Sequence, residues 1–127
     1  MYHCLRLKEN QDLKKEIENY SIKNNISGVI LSSVGCLKKL TVRLADGKTI
    51  LEKNEQFEIV SITGTLSKNG VHIHFSVSDN KGNTFGGHLK EGCIINTTVE
   101  VVLLEIKNLK FKREYDNSTG YEELVIK

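Results

Sequence analysis

Three of the chain's four histidines, His72, His74 and His88, fall within the stretch "VHIHFSVSDNKGNTFGGHL", Val71 to Leu89. Neutral imidazole is a good ligand for zinc and related divalent ions. Three imidazoles with one position left open make a centre that can still take up water or a substrate. The rings must first converge, and on strands convergence is a matter of register.

Alternate side chains of a strand share a face. His72, His74, Ser76 and Ser78 therefore stand on one face, and Val71, Ile73, Phe75 and Val77 on the other. The turn Asp79-Asn80-Lys81-Gly82-Asn83 has the pattern of a type I turn at Asn80-Lys81 followed by a left-handed Gly82. It pairs Asp79 with Asn83 and sets His88 directly opposite His74, on the face that carries His72. A two-residue turn would send His88 to the other face. Upstream, Asn69-Gly70 is a type I′ signal that pairs Lys68 with Val71 and places Thr65 opposite His74. Ser61 and Thr63 then join the histidine face, while Val60, Ile62, Leu66, Ile73, Phe75 and Val77 gather as core.

Opposed residues lie about 5 Å apart at Cβ, and same-face neighbours about 6.5–7 Å apart along a strand. Three rings at these spacings can reach one ion, for which zinc is the expected metal. Gly86 and Gly87 leave room for a ligand or another backbone. Thr63, Thr65 and Ser76 are candidates to satisfy the rings' second nitrogens. The competing reading is a set of surface imidazoles on a hairpin, since H-x-H on a strand is a short pattern.

The elements that must position these residues follow from hydrophobic period and turn signals. "YHCLRLK" reads as a strand, Tyr2 to Lys8. "NQDLKKEIENYSIKNN" reads as a helix with Asn10 as N-cap, Asp12 in the first turn, and Leu13, Ile17 and Tyr20 as its apolar stripe. Ser27 to Gly35 reads as a buried strand, and "KKLTVRLADGKTILE" as a hairpin with Asp46-Gly47 at its tip. "QFEIVSITGTLSKNGVHIHFSVSDNKGNTFGGHL" gives three consecutive strands. The strand Thr97 to Ile106 is apolar on both faces, with Val99, Val101 and Leu103 one way and Val102 and Leu104 the other. Both faces of such a strand need cover, and a subunit interface would provide it. "KNLKFKRE", Lys107 to Glu114, reads as an edge strand with lysines that discourage aggregation. The tail "YDNSTGYEELVIK" is turn-like and then undecided. The expected class is α+β: a mostly antiparallel, curled β-sheet with one main helix packed on it, a single domain over residues 1–127.

Composition narrows the function. The 127 residues are 39% hydrophobic and 27% charged, with no proline, as suits a globular protein with one core. Eighteen basic and 16 acidic residues leave a net charge of +2, too even for a concentrated nucleic-acid-binding face. No apolar run is long enough to cross a bilayer, and "MYHCLRLKENQ" is no signal peptide, so a cytoplasmic location is expected. Cys4, Cys36 and Cys93 form no C-x-x-C pair and are expected as free, buried thiols, not zinc ligands. No G-x-S-x-G, phosphate loop or dinucleotide fingerprint is present. Glu58 falls on the apolar parity of its strand. It is expected either to pair with Arg43 or to be turned outwards by a bulge near Ile59, ahead of any role as a general base. His3 reads as an exposed or capping residue rather than a distant fourth ligand.

The stretches "SGVILSSVGCLKKLTVRL" and "FEIVSITGTLSKNGVHIHFSVSDNKGNTFGGHLKEGCIINTTVEVVL", with "LRLKENQDLKKEI" more loosely, resemble the plants-and-prokaryotes-conserved (PPC) domain family. The most specific pieces are "SITGTLS", "HIHFSVSD", "GGHL" followed by "EGC", and "TTVEVVL". The resemblance runs from about Leu5 to Glu105. It implies an α+β fold, a homotrimer, and a metal on histidines matching His72, His74 and His88. Plant members carry AT-hooks beside the domain, whereas prokaryotic members occur alone and are often labelled DNA-binding proteins. This chain has no R-G-R-P core, so the minor-groove reader is missing. Cys36 stands where the family commonly has a small hydroxyl residue after Gly35, a departure that matters if that loop touches the site. The expected function is thus a homotrimeric, metal-binding regulatory or interaction module with weak DNA binding alone. The alternative is a small metal-dependent enzyme whose substrate and small-molecule ligand the sequence does not name.

Overall fold

The structure is a computed structural model that describes residues 1–127. The elements run β1 (Tyr2–Lys8), α1 (Leu13–Lys23), β2 (Gly28–Arg43), β3 (Ile50–Lys53), β4 (Phe57–Ser67), β5 (Gly70–Ser78), β6 (Thr84–Leu89), β7 (Ile94–Glu105), β8 (Phe111–Asp116) and β9 (Tyr121–Ile126). The fold is α+β, a mostly antiparallel sheet with one helix, as expected from the sequence.

The main sheet runs β1-β7-β2-β4-β5-β6, and β6 pairs back onto β2, so β2, β4, β5 and β6 close a small barrel. β2 makes this possible by its length. The segment Ser27–Gly35 and the first arm of the following hairpin form one 16-residue strand, not two. Its first part pairs with β7 and β4, and its last residues reach β3 and β6. Register shifts after Ile30, Gly35 and Leu37 let it bend between the two. Closure needs a close approach at Gly87: a Cβ there would sit 2.6 Å from the Arg43 carbonyl oxygen.

Helix α1 covers one face. Its N-cap is Asp12, not Asn10. The Asp12 carboxylate accepts from the Lys15 N–H at 3.0 Å and from the Gly92 N–H at 2.7 Å, so it caps the helix and ties it to the loop before β7. Asn10 adopts φ 72° in the tight turn just before and cannot serve as the cap. Leu13 and Ile17 are fully buried in a core shared with Leu66, Ile73, Phe75, Val77, Leu89 and Val99.

One bulge overturns the expectation for Val60 and decides between the two readings of Glu58. A bulge between Ile59 and Ser61 puts an extra residue into β4. Val60 is that residue and is 59% exposed, not core. The same bulge turns Glu58 outwards, and its neighbours across the sheet are Ser78 and Cys36, not Arg43. Of the cysteines only Cys93 is fully buried; Cys4 is exposed and Cys36 half-buried. His3 is taken up structurally, its ring nitrogens hydrogen-bonded to the Tyr20 hydroxyl at 2.9 Å and to Glu105 at 2.8 Å. The tail is a second hairpin, β8 on β9, in a sheet of its own. "KNLKFKRE" is therefore half loop and half hairpin strand, with Phe111 buried.

Candidate metal centre

β5 and β6 pair with His74 opposite His88. The turn that sets this register has the expected form. Gly82 adopts φ 82°, the Gly82 N–H donates to the Asp79 carbonyl at 3.1 Å, and the Asp79 N–H donates to the Asn83 carbonyl at 2.9 Å. The Asp79 carboxylate also accepts from the Lys81 and Asn83 amides, which fixes the tip. On the other side of β5 the turn slips back by one residue on each strand. Ser67 pairs with Gly70, so Thr65 faces His72 and Thr63 faces His74. The Ser67 hydroxyl closes this shifted two-residue turn by donating to the Gly70 carbonyl at 2.7 Å. Because both strands slip together, parity is kept and the histidine face survives the change.

The three imidazoles come together. Their ring centroids are 4.8, 5.2 and 5.4 Å apart, and one nitrogen from each ring lies within 4.8 Å of the others. His72 Nε2 and His74 Nε2 are 3.1 Å apart. Ligand nitrogens around a tetrahedral zinc stand about 3.4 Å apart, given Zn–N bonds of about 2.1 Å. The three nitrogens, all within 4.8 Å of one another, are spaced on the scale that one ion requires. His88 Nδ1 is buried with no hydrogen-bond partner, a polar atom the fold leaves open. These residues fit a divalent ion by number, donor type and spacing.

Electrostatics favours neutral rings. Burial lowers the His88 pKa to about 4, aided by Arg43 and then by His72, His74 and Lys90. Burial also lowers that of His72, with His74, Arg113 and Arg43 adding to the effect. Neutral imidazole is the form that binds metal. Two of the three expected hydroxyl partners are engaged elsewhere: Ser76 bonds Ser61 at 2.9 Å, and Thr65 accepts from Arg113 at 2.6 Å.

A cavity of about 910 Å³ opens over the histidines. Two arginines border it. Arg43, at the end of β2, is the cross-strand partner of His88. Arg113, on β8, was read in the sequence only as part of a basic edge strand. Asn69 places it: the Asn69 side-chain amide donates to the Arg113 carbonyl at 2.9 Å and its oxygen accepts from the Arg113 N–H at 2.7 Å. Nothing in the local pattern of "KFKRE" marks Arg113, because its approach to the histidines depends on how the β8–β9 hairpin folds over the β4–β5 turn. Cys36 and Glu58 border a separate hollow with Ser78 and Asn96, so the Cys36 departure does not touch the histidines.

The family model of the Plants and Prokaryotes Conserved (PCC) domain matches residues 1–107. The chain belongs to this family. It is 44% identical over 123 residues to the bifunctional protein GlmU of Synechococcus sp. (strain JA-3-3Ab), covering 96% of this chain but only 20% of that protein. The chain thus spans a fifth of the length of the curated relatives it matches. A hypothetical protein from Salmonella enterica superposes with a TM-score of 0.94 at 32% identity, over 100% of this chain and 93% of that one. A metal-containing protein of Archaeoglobus fulgidus superposes with a TM-score of 0.78 at 25% identity, over 98% and 93%. Arg113 and the β8–β9 hairpin lie beyond the residues the family model matches.

Proposed function

We propose that this PCC-domain chain binds one divalent ion, zinc by its donor set, on His72, His74 and His88, and acts as a homotrimeric regulatory or interaction module. One observation carries the reading: three imidazole nitrogens gather within 4.8 Å on a sheet whose turns fix their register. The metal-containing relative from Archaeoglobus fulgidus supports it. The ion would supply Lewis acidity and a charged anchor beside the cavity. The trimer is supported by apolar surface left on the sheet, where Leu31, Val34 and Val60 are 54%, 58% and 59% exposed. Direct DNA binding is weak in this reading, because the net charge is only +2 and several surface lysines are paired with carboxylates.

Elemental analysis of the purified protein tests the reading. It expects about one bound divalent ion per chain, removed by a chelator and restored by zinc. Protein that takes up no stoichiometric ion would refute it. The second reading, a small metal-dependent enzyme, is favoured by the cavity of about 910 Å³ beside the histidines, a volume that suits a small molecule.

A further inference from the structure

Arg43 and Arg113 line the histidine cavity, and neither is in direct contact with a carboxylate. Arg43 takes part in none of the chain's ion pairs, and its Nε is buried without a hydrogen-bond partner. Arg113 Nη2 donates to the Thr65 hydroxyl at 2.6 Å and Nη1 to the Glu122 carbonyl at 3.5 Å, both neutral acceptors, while its Nε is likewise buried and unpartnered. A guanidinium stays charged and presents five N–H donors in a planar fork. Leaving donors of such a group buried and unpaired is unfavourable unless something else completes it. The neutral imidazoles supply no negative charge, and a divalent ion on them adds two positive ones. Both arginines and all three histidines thus border one space.

We infer that the cavity takes a small molecule through a single oxyanion group, carboxylate or phosphoryl, held by Arg43 and Arg113 beside the histidine centre. The inference rests on the metal reading for the ion but not for the two arginines. Fork geometry suits both oxyanions, which offer two coplanar acceptor oxygens. The rim narrows the class further. Glu18, Asp46, Glu122 and Glu123 also border the cavity and repel extended polyanions. The ligand is therefore a small molecule with one anionic end and a neutral or cationic remainder, not a nucleic-acid backbone.

The test is an amide NMR titration of the zinc-treated protein with inorganic phosphate and, separately, with acetate, alongside Arg43→Gln, Arg113→Gln and Arg113→Lys. Metal content is measured on every sample. The expected result is saturable shifts around Thr65, Arg113 and His88 with one anion or both, and the tighter-bound anion assigns the group as phosphoryl or carboxylate. Each Gln variant should weaken binding about tenfold, with Arg113→Lys in between and metal content unchanged. Saturable binding to wild-type protein that carries no metal would uphold the inference while removing the metal reading. No saturable binding of either anion, or equal binding by folded Gln variants, would overturn it whatever the metal content.

Discussion

His74 and His88 face each other across β5 and β6 because one glycine, Gly82, takes φ 82° at the connecting turn. A residue count one shorter in that turn would put His88 on the core face and separate the ligands. The candidate centre is therefore a property of the turn as much as of the histidines.

The first prediction concerns His74. Its ring projects from the sheet into the cavity and is exposed, so it contributes little to the core. His74→Ala should lose most of the bound metal, since two imidazoles remain. The metal-free stability should change by only about 0.5 kcal/mol, the range for surface substitutions. Elemental analysis and chemical denaturation of the same preparation check both halves. A variant that keeps its full metal content places the ion elsewhere.

The second concerns acid. Burial first, and Arg43 next, hold the metal-free His88 pKa at about 4. The ordinary value is near 6.5. The folded state thus binds a proton less readily than the unfolded chain. His88 contributes stability that is fully present above about 6.5 and is lost as pH falls through about 4. Denaturation midpoints of chelator-treated protein should decline across that window, and His88→Gln should flatten the decline. An unchanged slope in the variant would assign the acid sensitivity to other groups.

How much of this was legible in the sequence depends on the range of the signal. The β5–β6 turn is local, and its residues specify it, so the pairing of His74 with His88 could be read directly. The β4–β5 turn is local too, but Ser67 closes it one residue earlier than the Asn69-Gly70 signal suggests, and Asn69 is spent on holding β8. The β4 bulge leaves one trace, Glu58 on an apolar parity, which a bulge or an ion pair with Arg43 explains equally, so Val60 still reads as core. Asp12 outcompetes Asn10 as cap because Gly92, some 80 positions away, gives its carboxylate a second donor. Closure of the barrel and the arrival of Arg113 are tertiary events. Strand period and turn chemistry carry no information about them, and so the cavity, Arg113 and the place of Arg43 beside His88 are not legible in the sequence.

The third prediction follows from closure. Gly87 lies against the Arg43 carbonyl, and an added Cβ would meet that oxygen at 2.6 Å. Gly87→Ala should force β6 away from β2, at a cost of about 1–3 kcal/mol. Both His88 and Arg43 sit at this seam, so metal affinity should fall with stability. Denaturation and metal titration would show the pair of losses together. A variant with wild-type values in both would mean that the seam is free to open.

The fourth concerns assembly. β7 buries Val99, Val101 and Leu103 on one face, while Val102 and Leu104 on the other are only partly covered. Leu31, Val34 and Val60 leave further apolar surface on β2 and β4. Analytical ultracentrifugation at micromolar concentration should give a three-chain species. Val60→Asp, at an exposed bulge position that should tolerate a charge within one chain, should shift it towards monomer. A wild-type protein that sediments as a stable monomer would remove the trimer from the proposal.

The last prediction concerns nucleic acid. Each phosphate contact made by a lysine or arginine releases counterions, so affinity falls with salt in proportion to the number of contacts. Here Lys38 is paired with Glu9 at 2.8 Å and Lys112 with Glu114 at 2.5 Å, and the two arginines of the cavity sit behind a rim of four carboxylates. The even balance of 18 basic and 16 acidic residues disfavours a long run of phosphate contacts along a duplex. Fluorescence anisotropy with labelled DNA should therefore show at most weak binding at low salt, vanishing as salt rises through the physiological range. Charge reversal of the rim, Glu122→Lys with Glu123→Lys, should strengthen that binding if the acidic rim is what opposes it. Sequence-selective binding by the wild-type chain that survives physiological salt would overturn this account and return DNA to the centre of the protein's function.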